Sequence, residues 1–193
     1  MLENIYRSGL YELLKVFYNN RFDYLHFNKV VELSSLGRGS VDRYLKILIN
    51  DKILVTQKDA NLVKYKLNDK NSIALSLLMN FDKERIEKLP LKVRKILNEI
   101  RGRVDCSFMF IFGSFAKGNY TKNSDLDIFI AVKDKFMIKE YDFVKKLEMQ
   151  YGVKIDLQIS TLDIVSDNQK HIIKTGLPFC NGENFYEVFF NLK

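Results

Sequence analysis

At 193 residues, the chain has room for one domain or two small ones. Hydrophobic residues make up 47% of it, which excludes a disordered chain and allows a substantial core. The net charge of +7 is uneven, because residues 1–80 carry 12 Lys and Arg against 8 Asp and Glu, residues 81–104 carry 8 against 4, and residues 105–193 carry 11 against 12. The basic excess therefore precedes residue 105 and predicts an anionic partner for the first half.

The sequence contains no apolar run of 18 residues, and its first residues do not begin a signal peptide. We therefore expect a soluble, cytoplasmic protein with no membrane partner. The two cysteines lack metal-type spacing and predict no disulfide framework, and Cys106 is interpreted as a core residue in an apolar strand. His26 and His171 are isolated, so zinc is not expected.

Three short helices are predicted before residue 52. Leu10, Leu14 and Phe17 recur at helical spacing and predict a first helix that ends near residues 19–20. A short strand over residues 24–27 and a second helix stopped by Gly37 follow. Ser40 is a predicted N-cap for the third helix.

The third helix has two different faces. Val41, Leu45 and Leu48 fall on its apolar face, and the opposite face carries Arg43 and Lys46. Two strand-like runs, residues 53–57 and 63–67, then flank a predicted hairpin turn at residues 58–61.

Three short helices followed by a hairpin resemble a winged helix-turn-helix. The resemblance implies that the third helix lies in the major groove of duplex DNA and that the wing contacts phosphates. The implied contacts at the duplex are Arg38, Ser40, Arg43 and Lys46, and those in the wing are Lys58, Lys64 and Lys66. The alternative is a helical domain whose basic face is solvated and used for protein contact.

Residues 69–104 are interpreted as the connection, in which Ile73, Leu77 and Leu78 continue at helical spacing until Pro90 interrupts. Val93, Ile96 and Ile100 describe an amphipathic helix over residues 91–102. The basic residues around this helix are interpreted as a solvated face, with part of a nucleic-acid surface as the alternative.

A glycine–serine pair follows the most apolar stretch of the chain. Residues 108–112 are apolar on both faces, as a buried central strand is. Gly113 and Ser114 end that strand and open a helix, so they place backbone N–H groups and a hydroxyl where a phosphate can lie.

Two carboxylates follow at a fixed distance. Ten residues separate Ser114 from Asp125, and Asp127 lies two residues further on. Leu126, Ile128 and Ile130 alternate with the acidic positions, so the sequence predicts a strand that presents both carboxylates on one face. Adjacent carboxylates repel each other, and a divalent cation such as Mg2+ or Mn2+ relieves that repulsion.

This stretch resembles the nucleotidyltransferase signature of the DNA polymerase β superfamily, most closely its minimal nucleotidyltransferase branch. The resemblance covers about residues 91–180 and implies a third carboxylate on a later strand, which Asp156 in the alternating segment 153–159 supplies. It implies Asp125, Asp127 and Asp156 as catalytic and metal-binding residues. Gly113 and Ser114, with Lys117 as a helper, would bind the nucleotide.

Three segments complete the chain. Met137, Tyr141, Val144 and Leu147 predict a crossover helix, and residues 164–175 predict a last helix stopped by Gly176 and Pro178. The aromatic tail, residues 185–190, is expected to be core or a homodimer contact.

The overall expectation is an α+β chain in which a winged helix-turn-helix precedes a small nucleotidyltransferase domain with a mixed sheet and helices. The predicted boundaries are residues 1–80 for the DNA-binding part, 81–90 for a connecting segment and 91–193 for the nucleotidyltransferase domain.

The resemblance implies a reaction in which an acceptor hydroxyl attacks the α-phosphorus of a nucleoside triphosphate, implied to be ATP, and expels pyrophosphate. The acceptor is a protein or an RNA, and an antitoxin that adenylylates a HEPN-domain toxin is one form of this function. The alternative is a DNA-binding transcriptional regulator whose nucleotidyltransferase fold senses a nucleotide or a partner protein without turnover.

Overall fold

The computed structural model describes residues 9–133, 142–161 and 167–191. The chain divides into two compact units between Phe81 and Asp82. No helix in the described ranges is both long enough and apolar enough to cross a membrane.

The first unit combines helices with a small antiparallel sheet. In chain order its elements are α1 (Gly9–Asn19), β1 (Leu25–His26), α2 (Phe27–Ser34), α3 (Arg38–Asn50), β2 (Leu54–Asp59), β3 (Leu62–Leu67) and the first part of α4 (Ser72–Glu87). The strand order is β1-β3-β2, so the short strand between α1 and α2 pairs with the second strand of the hairpin.

The core of the first unit follows the predicted apolar spacing. Leu14 and Phe17 of α1 and Val41, Leu45 and Leu48 of α3 are all nearly inaccessible to solvent. Because these residues recur every three or four positions, each helix turns one stripe inward and leaves its polar stripe exposed.

Two details of the predicted helix ends are wrong. α2 ends at Ser34, where Ser35 adopts a left-handed conformation with φ 54°, so Gly37 does not stop it. Gly37 is instead the N-cap of α3, and Ser40 lies inside the first helical turn.

The hairpin turn is also shorter than expected, since β2 runs through Lys58 and Asp59 and only residues 60–61 connect the strands.

α4 is one continuous helix up to Glu87, and Pro90 is the N-cap of α5 (Leu91–Arg103). Asp82 is 2% exposed, and its carboxylate accepts a 2.5 Å hydrogen bond from the Tyr186 hydroxyl. This buried contact joins the C-terminal part of α4 to the last helix of the second unit, because both partners would lose hydrogen bonds to water if they separated.

The second unit is built on a mixed four-stranded sheet of order β6-β5-β4-β7. Its remaining elements are β4 (Phe108–Ile111), α6 (Gly113–Lys117), β5 (Leu126–Val132), α7 (Asp142–Tyr151), β6 (Ile155–Thr161), α8 (Asp167–Thr175), β7 (Leu177–Cys180) and α9 (Gly182–Asn191). β5 runs parallel to β6, and β4 runs antiparallel to both β5 and β7.

Each face of this sheet has its own hydrophobic layer. On one face Ile111, Ile128 and Ile155 belong to a cluster with buried residues of α5 and α7, among them Ile96 and Leu147. The buried strand predicted over residues 108–112 is observed as β4, which ends one residue earlier because Phe112 is the N-cap of α6. β4 is covered on both faces, because aromatic side chains of α9 lie over its other face.

The second layer is aromatic. The ring of Phe110 stacks on that of Phe129 at a centroid distance of 4.9 Å and contacts the ring of Phe185 at 5.3 Å. Phe185, Tyr186 and Phe189 are fully buried, so the core interpretation of the aromatic tail is confirmed for these three residues.

The last third of the chain differs from expectation in three respects. The helix that ends at Thr175 is not the last one, because β7, which contains Pro178, and α9 follow it. Cys106 is buried but precedes β4 instead of lying within it, and burial, with Cys180 nearby, raises the pKa of its thiol to about 12. Met137, Tyr141 and Ile164, used to predict two helices, lie outside the described residues.

Candidate active site

The glycine–serine pair lies at the turn between β4 and α6. Gly113 has φ +65° and Gly118, the C-cap of α6, has φ +80°. Both ends of this five-residue helix therefore have a backbone conformation with positive φ, which glycine adopts more easily than other residues. Arg85 donates a hydrogen bond to the carbonyl oxygen of Ala116, which fixes the last turn of α6 to α4. Ser114 is half-buried at the first turn of the helix.

Gly113 is also required by a close contact. A Cβ atom built on Gly113 would lie 1.9 Å from Oδ2 of Asp127, which is far inside van der Waals contact. The backbone N–H of Phe112 donates a 3.0 Å hydrogen bond to the carbonyl oxygen of Asp127. The glycine turn and the Asp127 carboxylate are therefore in direct contact.

The third acidic residue reaches the same end of the sheet from β6. Asp127 and Asp156 are register partners on the parallel strands β5 and β6, and Asp125 immediately precedes β5. In parallel strands, register partners project to the same face. The pairing therefore brings a carboxylate from residue 156 beside two from residues 125–127.

The electrostatics of Asp127 agree with this placement. Burial raises the pKa of the Asp127 carboxyl above its ordinary value, and the charges of Asp156 and Asp125 raise it further. The neighbouring Lys154 and a backbone hydrogen bond act in the opposite direction. The ionised form of Asp127 is thus less favourable at this position than it is in water.

A lysine neutralises one of the carboxylates. The ammonium group of Lys154 lies 2.8 Å from Oδ2 of Asp125, and this pairing raises the pKa of Lys154. Lys154 is 73% exposed at the side chain, so the ion pair itself contributes little to stability. The sequence interpretation did not include Lys154, although its position two residues before Asp156 places it on the same polar face of the strand.

Hard oxygen ligands such as these carboxylates match Mg2+ or Mn2+ in chemistry. Within residues 9–133, 142–161 and 167–191, however, no three His, Cys, Asp or Glu side chains are grouped as a metal site. The observed partner of Asp125 is Lys154. Asp127 and Asp156 are the two acidic residues that are register partners on the neighbouring strands β5 and β6.

The remaining candidate residues are exposed or half-buried. Lys117 is exposed in the last turn of α6. In the first unit, four of the predicted DNA contacts already have polar partners within the chain: Arg38 with Asn28, Arg43 with Tyr44, Lys46 with Asp42 and Lys64 with Asp59. Lys58 is exposed in β2, whereas Ser40 and Lys66 are half-buried.

The fold and the site define the class of protein: an α+β protein with a glycine–serine turn and acidic side chains at one end of a mixed sheet. Residues 94–183 match the family model described as "Polymerase beta, Nucleotidyltransferase". The chain is 33% identical to "Putative protein adenylyltransferase MJ0141" of Methanocaldococcus jannaschii over 79 residues, which is 41% of this chain and 75% of the relative.

A second relative from the same organism, "Putative protein adenylyltransferase MJ0604", is 35% identical over 72 residues, which is 37% of this chain and 69% of the relative. No solved structure matched the chain. The chain belongs to the polymerase beta nucleotidyltransferase family.

Proposed function

We propose that the second unit transfers AMP from ATP to a hydroxyl group of a protein or RNA acceptor, with release of pyrophosphate. The observation that carries this proposal is the position of Asp127, which contacts Gly113 on one side and is paired in register with Asp156 on the other. A phosphate-binding turn and two carboxylates thereby meet at one point of the fold.

We propose the following roles for the residues of this site. The N–H groups of the turn at Gly113 and the hydroxyl of Ser114 bind the β- and γ-phosphates, and Lys117 assists by its charge. Asp125 and Asp127 would hold Mg2+ or Mn2+, and Asp156 would complete the ligand set. When bound, the cation neutralises the phosphates and lowers the pKa of the acceptor hydroxyl. Asp156 orients that hydroxyl and accepts its proton.

Both relatives are named as protein adenylyltransferases, which supports a protein acceptor. An antitoxin that adenylylates a HEPN-domain toxin is the specific form that we propose. The test is transfer of radiolabelled AMP from ATP to a candidate protein or RNA, with wild type, Asp127→Asn and the matched surface variant Asp69→Asn. We expect wild type and Asp69→Asn to label the acceptor and Asp127→Asn to leave it unlabelled. Transfer by wild type that persists in EDTA would contradict the metal assignment.

We further propose that the first unit is a winged helix-turn-helix that binds duplex DNA. The supporting observations are the element order α1-β1-α2-α3-β2-β3, the sheet order β1-β3-β2 and the exposed Arg43 and Lys46 on α3. Both side chains have weak intrachain partners, which a phosphate can replace because exposed pairs contribute little.

The DNA proposal is tested with the full chain by fluorescence anisotropy on a labelled duplex. We expect affinity to fall by about 10- to 100-fold between about 50 and 200 mM salt, since each phosphate contact releases counterions. Arg43→Glu should weaken binding at low salt, whereas the control Lys70→Glu, outside α3 and the hairpin, should not. Absence of binding at low salt would assign the unit to protein contact.

One observation favours a second candidate function. The ammonium group of Lys154 pairs with Asp125, one of the two carboxylates proposed to hold the cation. A DNA-binding regulator that senses a nucleotide or a partner without turnover would need no cation at Asp125. Nucleotide binding by wild type without labelling of any acceptor, unchanged in Asp156→Ala, would favour the regulator.

A further inference from the structure

A cleft of about 280 Å³ lies beside the nucleotidyltransferase site but contains none of its acidic residues. It is lined by the beginning of α5, by α6 and by the loop that connects α6 to β5. Nothing in the proposed reaction uses this cleft. Its lining has three chemical parts, which together point to one class of ligand.

The first part is a flat aromatic surface. The rings of Phe115 and Tyr120 stack at a centroid distance of 4.5 Å with an interplanar angle of 12°. Phe115 is 4% exposed and belongs to the core, while Tyr120 is half-buried at the surface of that core. A ring held parallel to a buried partner is a rigid platform on which another flat ring can stack.

The second part is positive charge. Lys92 and Lys122 both line the cleft with exposed side chains, and no carboxylate is among the lining residues. Neither lysine has an ion-pair partner among the described residues, in contrast to Lys154. Two unpaired ammonium groups beside an apolar floor attract an anionic ligand without a competing internal anion.

The third part is a pair of hydroxyl groups in a loop with its own hydrogen bonds. The N–H of Thr121 donates a 2.8 Å hydrogen bond to Oγ of Ser124, and the N–H of Asn123 donates to Oγ1 of Thr121. Thr121 and Ser124 both line the cleft. The bonds close a tight turn around Lys122, so the loop side of the cleft is formed before a ligand arrives.

The cleft lining is continuous with the core and not with the carboxylates. Val153 lines the cleft and belongs to the same core cluster as Ile155, Phe115 and the buried residues of α5. Asp156 follows Ile155 in β6, and successive side chains of a strand project to opposite faces. The lining therefore includes neither the three carboxylates nor Gly113 and Ser114.

We propose that this cleft binds a nucleoside phosphate, separately from the donor nucleotide. The base stacks on Tyr120, the phosphate lies between Lys92 and Lys122, and the hydroxyls of Thr121 and Ser124 bind sugar or phosphate oxygens. A free nucleotide and the terminal nucleotide of a single strand have this same chemistry. The proposal does not depend on whether the carboxylate site transfers AMP.

The test is equilibrium dialysis of the full chain in EDTA with two radiolabelled probes, 5′-AMP and penta-adenylate. Without metal, the three carboxylates repel phosphate, which suppresses binding at the donor site. We expect saturable binding that Tyr120→Leu weakens by about 5- to 100-fold, the usual range for loss of one stacked base. The double variant Lys92→Gln/Lys122→Gln should bind at least about 10-fold more weakly.

The matched control is Lys95→Gln, an exposed lysine of the same helix that does not line the cleft. We expect Lys95→Gln to bind both probes as wild type does. Equal affinities for the two probes identify a free nucleotide as the ligand, and tighter binding of penta-adenylate identifies a strand end.

Three results would overturn the proposal. The first is that neither probe binds saturably. The second is that Lys95→Gln weakens binding as much as Lys92→Gln/Lys122→Gln does. The third is that a penta-glutamate peptide displaces the probes from wild type but does not bind the double variant. The last result would identify an acidic protein segment as the ligand. Loss of AMP transfer with retained probe binding would remove only the proposed reaction.

Discussion

Oδ2 of Asp127 occupies the space directly over Gly113, 1.9 Å from where a Cβ atom of residue 113 would lie. The contact brings the glycine–serine turn against the Asp127 carboxylate, so that a side chain at residue 113 would displace that carboxylate. Gly113 meets two requirements at once, since its φ of +65° disfavours a side chain and the contact leaves no room for one.

Gly113→Ala should slow AMP transfer by about 100-fold or more. The alanine must either displace the Asp127 carboxylate or change the turn, and a displacement of about 1 Å in a reacting group can cost about 100-fold in rate. The measurement is AMP transfer beside thermal unfolding. Gly102→Ala in α5 is the control, because a Cβ there meets no atom within 4 Å and φ is not positive. Equal activity of Gly113→Ala and wild type would show that this contact does not matter for transfer.

Asp127→Asn should stabilise the metal-free protein at neutral pH. Because the folded-state pKa of Asp127 is raised above its ordinary value, the ionised carboxylate costs stability at every pH above that raised value, and the cost disappears as pH falls below the unfolded value. Thermal unfolding in EDTA from acid to neutral pH measures this, with Asp69→Asn as the control. A lower melting temperature of Asp127→Asn at neutral pH would contradict the prediction.

Lys154→Ala should tighten Mn2+ binding. The ammonium of Lys154 lies 2.8 Å from Asp125, so it competes with a cation for that oxygen and weakens the field of the three carboxylates. Calorimetric titration with Mn2+ measures the affinity, and Lys145→Ala on the exposed face of α7 is the control. Weaker Mn2+ binding by Lys154→Ala would show instead that the lysine supports the metal site.

Asp156→Ala should separate nucleotide binding from transfer. If Asp156 acts on the acceptor hydroxyl, its loss removes an interaction made in the transition state, so nucleotide affinity with Mg2+ persists while the transfer rate falls by about 10²- to 10⁴-fold. Calorimetry and AMP transfer measure the two quantities. Loss of nucleotide affinity to the same extent as in Asp127→Asn would assign Asp156 to donor binding.

Periodicity and spacing along the chain determined much of the fold. The apolar stripes of α1, α3 and α5, the buried strand at residues 108–111 and the polar face of β6 are all local patterns, since helical and strand periods are properties of the backbone. The same is true of the spacing from Gly113 to Asp127, which predicted the family that the comparisons show.

The tertiary structure decided which distant residues meet. The register of β5 on β6 pairs Asp127 with Asp156, and the position of Lys154 beside Asp125 follows from that register. The sequence missed β7, because a four-residue strand containing Pro178 has no clear period of its own and forms by pairing with β4. Register and strand order depend on side chains far apart in the chain, so no local pattern specifies them.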